Sequence, residues 1–575
     1  MIAVVAAVLP RNDEVADQFE LLADLMEVDG ADAFRVSAYR KAALRIRETP
    51  SGVAQMALDG RAKSLQGIGP TIEGKIVEMV ELGEMQALTK RKAAVPAELA
   101  KFIRLPGLGP KTARRIWQEL GITTVAQLKA AAEAHELRGL AGLGAKSEEK
   151  ILAALAAPAA EAGPRRALLG TTLPKLRAVV EVLAAHPAAE KVSIAGSARR
   201  FRETVRDLDI IATASDPAAL IDYFCALRWV VEVAAKGPTK ATVISHDGLR
   251  FDLRVVPPES YGNLLQHFTG SKAHNVALRE ASVRRGLSVS EYGVTEVETG
   301  DVHAFSDEDG VYAFLGYEWI PPELREGLGE LELARQGELS TLVELGDIRG
   351  DLHTHTSWSD GKDALEEMVA RAVAKGYRYY AVCDHAQRLR GDRLHEQSEQ
   401  IDALNEVVAS LRIVKGIEVN IRGNGEVDVA DEDLATREWV VASVHHGFDH
   451  DPTERVLAAM ENPYVDCIGH VTNRKINTRP PSPINIERVI EKALETGTFL
   501  EINSQPDRLD LTDVHARAAR EAGLKLVIDS DGHEVDALDF VELGVGQARR
   551  AWLTKDDVLN TRTWNQILQL QKKRP

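Results

Sequence analysis

Two aspartates one residue apart, Asp207 and Asp209 in Arg206-Asp207-Leu208-Asp209, precede an apolar run from Ile210 to Ala212. On a strand, side chains alternate with a period of two, so both carboxylates share one face. Asp252, in the alternating run Arg250-Phe251-Asp252-Leu253-Arg254-Val255-Val256, is the candidate third member. Carboxylates this close repel one another unless divalent cations compensate them, and all-oxygen ligands suit Mg2+ or Mn2+. Paired ions on such a trio serve phosphoryl transfer, one activating the attacking hydroxyl and the other neutralising the leaving phosphate. Upstream, Gly196-Ser197 offers close backbone approach and a hydroxyl, and Arg200 offers a cation for charge developing on a leaving group.

A second constellation lies beyond residue 345. It comprises Asp351-Leu352-His353-Thr354-His355, Ser359-Asp360-Gly361, Asp384-His385, Glu418, His445-His446, Gly469-His470 and Asp531-Gly532-His533. A lone buried histidine is more often a hydrogen-bonded core residue than a ligand, but a set of this size reverses that expectation. Imidazole mixed with carboxylate suits Zn2+, Mn2+ or Fe2+, and more than four such groups imply more than one ion. Arg388, Arg393, Arg422 and Arg474 are nearby cations that could hold substrate phosphates, or simply solvated surface arginines.

Elements to position these groups follow from the pattern of the chain. At 575 residues the chain exceeds one core and calls for several domains. From Glu14 to about Leu155 apolar residues recur at helical spacing, as in Phe19, Leu22, Leu25 and Met26. Residues 156–164, rich in Ala and Pro, read as a linker. Short β-type runs follow at Lys191 to Ala195, Leu208 to Ala212 and Ala241 to Ser245. After a break near 337–350, the runs Tyr379 to Cys383, Leu411 to Val414, Trp439 to Ser443, Thr498 to Ile502 and Leu524 to Ile528 alternate with helical segments. That alternation predicts a parallel β/α barrel or open α/β sheet, and most of the His and acidic groups fall at the ends of its strands.

Within the helical region a hairpin repeats as Leu65-Gln66-Gly67-Ile68-Gly69-Pro70, Leu105-Pro106-Gly107-Leu108-Gly109-Pro110 and Leu140-Ala141-Gly142-Leu143-Gly144-Ala145. Single turns of this kind are often only helix caps; repeated ones suit backbone amides facing phosphates. The net charge of −17 lowers the expectation of nucleic-acid binding, yet charge is uneven, with Lys101 to Arg115 basic and Glu323 to Glu344 acidic. Three scattered cysteines, Cys225, Cys383 and Cys467, argue against a disulfide framework and for a reducing cytoplasmic setting. No apolar run approaches a bilayer span. Residues 1–13 read as a disordered extension.

The stretch from Gly196-Ser197 to Asp207-Leu208-Asp209 resembles the nucleotidyltransferase signature of family X DNA polymerases, the polymerase beta family. His267-Phe268-Thr269-Gly270-Ser271-Lys272-Ala273-His274-Asn275-Val276-Ala277-Leu278-Arg279 is similar to that family's nucleotide-selecting segment. The resemblance implies that Phe268 and the Thr269-Gly270 backbone face the incoming sugar, that Asn275 contacts the base or minor groove, and that Arg279 contacts the templating side. His267, where vertebrate relatives carry Tyr, and Arg206, where a small residue is usual, depart from the pattern. The glycine hairpins resemble helix-hairpin-helix motifs, which grip DNA independently of sequence. This makes Gly67, Gly69, Lys75, Gly107, Gly109 and Lys111 the candidate DNA contacts. Lys75 also matches the family's Schiff-base lysine by position, but an exposed helix lysine is the preferred reading, so at most weak lyase activity is expected. The C-terminal set resembles the polymerase and histidinol phosphatase (PHP) domain, a seven-stranded β/α barrel with a metal cluster that hydrolyses phosphoesters. By that resemblance His353, His355, Asp360, His385, Glu418, His445, His470, Asp531 and His533 hold two to three Mn2+, Zn2+ or Fe ions.

The expected organisation is therefore a multidomain α+β and α/β protein. A helical DNA-binding domain with a helix-hairpin-helix spans 14–95, a fingers-like helical domain with a helix-hairpin-helix 96–160, a nucleotidyltransferase palm 165–258, a nucleotide-selecting thumb 259–335, a linker 336–348 and a PHP phosphoesterase domain 349–575. The expected function is gap-filling DNA synthesis from dNTPs on gapped or primer-template DNA, by a monomer at the nucleoid, with a metal-dependent 3′→5′ exonuclease in the barrel. The alternative is a PHP phosphoesterase whose nucleotidyltransferase region binds DNA but is catalytically idle.

Overall fold

The computed structural model describes residues 9–10, 12–47, 49, 52–65, 67–103, 105, 108–140, 143–156 and 166–574. The chain divides into two compact units at Arg165 and Arg166.

In the first unit, the helix Asn12–Val28 buries Val15, Phe19, Leu22 and Met26, a stripe at helical spacing. One core runs from Val15 to Ile151, so the segments expected at 14–95 and 96–160 share it. The hairpins deliver three helices, Pro70–Leu82, Pro110–Leu120 and Ala145–Ala156. Gly67 takes a left-handed conformation (φ 86°) that an L side chain would resist. Gly69 and Gly109 stand at the N-caps of the first two helices, each followed by Pro, with no side chain capping the first turns. Gln66, Pro106, Gly107, Ala141 and Gly142 lie outside the described residues.

The second unit opens with a five-stranded sheet in the order Ala189–Ile194, Asp207–Ala214, Arg250–Val255, Lys240–Ser245, Val230–Lys236. The Asp207–Ala214 and Arg250–Val255 strands pair in parallel, and the other neighbours are antiparallel. The edge strand Val230–Lys236 was not expected from the sequence; its residues are mostly exposed, so no burial pattern announces it. A helical and three-stranded region follows, covering Leu287–Val289, Val294–Glu296 and Val302–His303.

Seven parallel strands then run in sequence order, Gly350–Thr354, Tyr379–Val382, Arg412–Asn420, Trp439–Ser443, Cys467–Ile468, Phe499–Asn503 and Leu526–Asp529. The ring nearly closes, because Thr354 bridges Gly532 in parallel and the His355 N–H donates to the Gly532 carbonyl at 2.8 Å. Alternation sorts the strands: Leu352, Ala381, Val414, Val441 and Val527 fill one face, while Val382, Ile413, Val440, Leu500 and Ile528 join the larger core of the barrel. The stretch expected as a linker at 336–348 packs on this barrel, with Val343 fully buried and its N–H on the Leu553 carbonyl. Barrel residues also complete the core under the five-stranded sheet, where Leu509 and Leu543 are buried and Ile476 and Phe540 pack alongside.

Candidate active sites

The parallel register sets Asp209 directly opposite Asp252, and Asp207 lies two residues before Asp209 on the same strand. All three carboxylates therefore converge on one face. Burial, and after it the charges of Asp207 and Asp252, push the Asp209 carboxyl up to about 7. Asp252 accepts from Arg250 Nε at 2.7 Å and from the Thr242 hydroxyl. Arg206 Nη2 lies 3.4 Å from Asp207. Gly196 has φ 65°, and a Cβ there would lie 2.1 Å from Asp209 Oδ2, so only glycine lets the turn before Ser197 approach the trio. A carboxyl held up near neutrality by burial and by its anionic neighbours fits a divalent cation, which would compensate the buried charge.

The selecting segment folds back beside the trio. Asn275 accepts from Gln266 Nε2 at 3.0 Å and donates to the His267 carbonyl at 2.7 Å, and Arg279 Nη2 lies 3.2 Å from His267 Nδ1. A Cβ on Gly270 would meet Asn275 Oδ1 at 2.7 Å. The Arg254 guanidinium stacks over the Phe268 ring, 4.3 Å from its centre. Arg200 does not point into open space: its Nε donates to Glu326 at 3.0 Å and its Nη1 to the Thr269 carbonyl at 2.7 Å. Beside it Arg199 and Arg325 both clamp the buried Glu308. Burial alone would raise the Glu308 carboxyl, but Arg325 and Arg199 outweigh it and hold it down to about 2.

At the barrel mouth all nine expected groups meet. Glu418 stands at their centre. Its Oε2 lies 2.8 Å from His385 Nδ1 and 3.6 Å from the Nε2 atoms of both His353 and His355. Its Oε1 lies 3.4 Å from His445 and 3.3 Å from His470. Asp531 approaches His355 at 3.2 Å, and Asp360 lies 3.4 Å from His533 and 3.5 Å from His385. Three groups whose ligand atoms lie within 4.8 Å of one another, linked through His355, His385 and Glu418, could each hold an ion. Glu418 Oε1 and His355 Nδ1 are buried without a hydrogen-bond partner, as expected of lone pairs reserved for cations. Burial holds the His355 imidazole neutral, its pKa pushed down to about 4, which is the ligating form. His470 (φ 29°) and Asp531 (φ 50°) adopt left-handed backbone that neither residue favours, the kind of strain that gathers at functional sites.

Two supporting residues, Glu501 and Asn503, went unseen in the sequence. Glu501 Oε1 lies 2.6 Å from His353 Nδ1, its Oε2 accepts from the His470 N–H, and Asn503 Nδ2 joins it to Asp531. The one available signal was a glutamate inside the apolar run Phe499-Leu500-Glu501-Ile502. Asp384 ties the Asp360 loop by accepting from the Thr356 hydroxyl and N–H and from Gln397 Nε2 at 2.7 Å. Of the nominated arginines, Arg388 and Arg422 are exposed, Arg393 lies over the Trp358 ring, and Arg474 is engaged by Glu203 at 2.7 Å and by the Leu509 carbonyl. Lys75 is half-buried on its helix and Lys111 is exposed.

Residues 351–533 match the family model of the PHP domain, 264–326 that of the DNA polymerase beta thumb, 10–85 that of a helix-hairpin-helix domain and 99–157 that of a SAM-like helix-hairpin-helix tandem. The DNA polymerase/3'-5' exonuclease PolX of Bacillus subtilis is 39% identical over 574 residues, which cover 97% of this chain and 98% of that protein. The chain belongs to the family X DNA polymerases with a C-terminal PHP domain. The PHP portion of this family X chain also resembles a probable phosphatase of Thermoanaerobacter sp. (strain X514), 32% identical over 225 residues that cover 37% of this chain and 89% of the relative. Among the described residues, no helix is long and apolar enough to cross a membrane.

Proposed function

We infer that this family X chain is a DNA-directed DNA polymerase and a 3′→5′ exonuclease, and that it fills gaps during DNA repair as a monomer at the nucleoid. The observation that carries the reading is the coexistence in one compact unit of two separate clusters able to hold cations, Asp207, Asp209 and Asp252 on the sheet and the nine-residue cluster at the barrel mouth. Divalent cations, Mg2+ or Mn2+ on the sheet and Mn2+, Zn2+ or Fe ions at the barrel, would supply Lewis acidity and neutralise phosphate charge.

In the palm, Asp207, Asp209 and Asp252 would hold the cations, which would supply the Lewis acidity that eases loss of the primer 3′ hydroxyl proton. Gly196 admits the Ser197 hydroxyl to the triphosphate of a dNTP, and Arg200 supplies a positive charge beside it. Phe268 and the Gly270 backbone line the sugar position, with Asn275 and Arg279 toward the base pair. At the barrel mouth, Glu418 and the histidines would hold cations that neutralise phosphodiester charge, and Glu501 fixes the His353 ring so that its Nε2 faces the cluster. Gly67, Gly69, Gly109 and Lys111, with Gly107 between them in sequence, would grip the DNA backbone through uncapped amides and one cation. Lys75 gives at most weak lyase chemistry.

The test uses a 5′-labelled primer on gapped DNA with Mn2+, with and without dNTPs. Asp207→Ala/Asp209→Ala should lose extension and keep 3′ shortening, and His353→Ala/His355→Ala should do the reverse. Extension surviving in the first variant, or normal shortening in the second, would refute the corresponding assignment.

A further inference from the structure

The barrel helix Val541–Arg550 ends on an arginine that belongs by its contacts to the polymerase site. The Arg550 side chain is only 3% exposed. Its Nη1 donates to the Arg200 carbonyl at 3.0 Å and to Glu326 Oε1 at 2.8 Å, and its Nη2 donates to Asp513. The same Glu326 oxygen receives Arg200 Nε, and Arg200 in turn pins the Thr269 carbonyl. A chain of charge-assisted hydrogen bonds thus runs from the barrel through Glu326 to the backbone that precedes Gly270. Arg202 waits 4.0 Å from Glu326, an alternative partner should Arg550 be lost.

A guanidinium can satisfy three acceptors at fixed angles because its donors form a rigid planar fork; a lysine ammonium cannot reproduce that fork. Burial would raise the Glu326 carboxyl, and the charges of Arg550, Arg200 and Arg202 hold it low. Deleting Arg550 therefore leaves two half-buried carboxylates and one carbonyl short of a partner. The docking is reinforced where the Phe201 ring, on a left-handed residue (φ 52°), fills the space beside Gly546; a Cβ on Gly546 would lie 2.1 Å from that ring.

We propose that Arg550, contributed by the PHP barrel, is a positioning residue for nucleotide binding in the palm, setting Arg200 and the Thr269-Gly270 backbone through Glu326. The proposal rests on the polymerase reading above. It predicts that Arg550 tunes dNTP affinity without taking part in either reaction.

The experiment measures dNTP KM and kcat for single-nucleotide extension by the full chain, hydrolysis of bis(p-nitrophenyl) phosphate by the same preparations, and melting temperature. Arg550→Lys should raise dNTP KM about tenfold, the loss of one charge-assisted bond, with kcat at saturating dNTP and phosphodiester hydrolysis within about twofold of wild type. Arg177→Ala, which cuts a more exposed palm-to-barrel ion pair with Glu542, serves as the docking control and should change none of these. Glu326→Gln, which keeps the acceptor and the volume, should move dNTP KM in the same direction and decides the matter if Arg550→Lys does not fold. An unchanged dNTP KM in a folded variant overturns the proposal, as does an equal rise in Arg177→Ala or a parallel fall in both activities with melting temperature. A wild-type enzyme that extends no primer would instead overturn the polymerase reading, and this proposal with it.

Discussion

The palm and the barrel mouth solve one electrostatic problem in different ways. The palm gathers carboxylates as its only ligand groups, and burial, with their mutual repulsion added, pushes the Asp209 carboxyl up to about 7. The barrel interleaves carboxylates with imidazoles, so Glu418 is held well below the usual range by His445, His353 and His385 despite complete burial. In the first site the protein's own cations, Arg250 and Arg206, stand beside Asp252 and Asp207, leaving the half-buried Asp209 without one among the described residues; in the second, the candidate ligands already lie within reach of one another. An all-carboxylate site suits weakly held, exchangeable Mg2+ or Mn2+, whereas imidazole-rich sites retain transition metals.

That contrast is sharpest at its centre. Glu418→Ala should cut phosphodiester hydrolysis by about a thousandfold and strip metal from the purified protein, as elemental analysis would show, while primer extension stays at the wild-type rate. Metal retained at full stoichiometry would break the comparison. In the palm, Gly196→Ala forces a methyl group onto Asp209 and should slow extension about a hundredfold with hydrolysis intact. Glu501→Gln should weaken barrel metal affinity between about tenfold and a hundredfold, measured by competition with a chelator, because it loosens His353 without removing a ligand.

The smallest effect on chemistry, and the one that probes stability, concerns Glu308, a buried carboxylate compensated by the protein's own arginines instead of a cation. Its folded pKa is depressed from 4.5 to about 2, so its contribution is complete above about pH 4.5 and is lost as pH falls toward about 2. Glu308→Ala should destabilise the second unit by about 3 to 5 kcal/mol at neutral pH, and its melting temperature should fall less steeply than that of wild type between pH 4.5 and 2. Parallel melting curves in that window would show that Glu308 is not the group responsible.

Much of both sites was legible because strand geometry is local. The spacing of Asp207 and Asp209 puts them on one face whatever the rest of the fold, and the strands around Ala241 and Trp439 follow from short β-branched runs. The barrel ligands were legible because they stand where apolar strand runs end. What stayed hidden depends on contacts between distant segments. Glu501 has no sequence neighbour to signal that it orients His353, 148 positions away. Arg200 reads as a free cation until Glu326 closes on it, and the Arg549-Arg550 pair looks like an ordinary basic helix end. The edge strand Val230–Lys236 escaped because an exposed strand carries no alternation.

The core beneath the palm sheet is finished by Leu509 and Leu543 from the barrel, with Ile476 and Phe540 packed on it. A gene fragment ending near residue 348 would therefore encode a palm with an open apolar wound, prone to aggregate when expressed alone, whereas a cut at Arg165 separates bodies that each own a complete interior. For anyone dissecting or recombining such chains, the seam that can be cut lies before the polymerase motif, and nuclease and polymerase travel as one cassette.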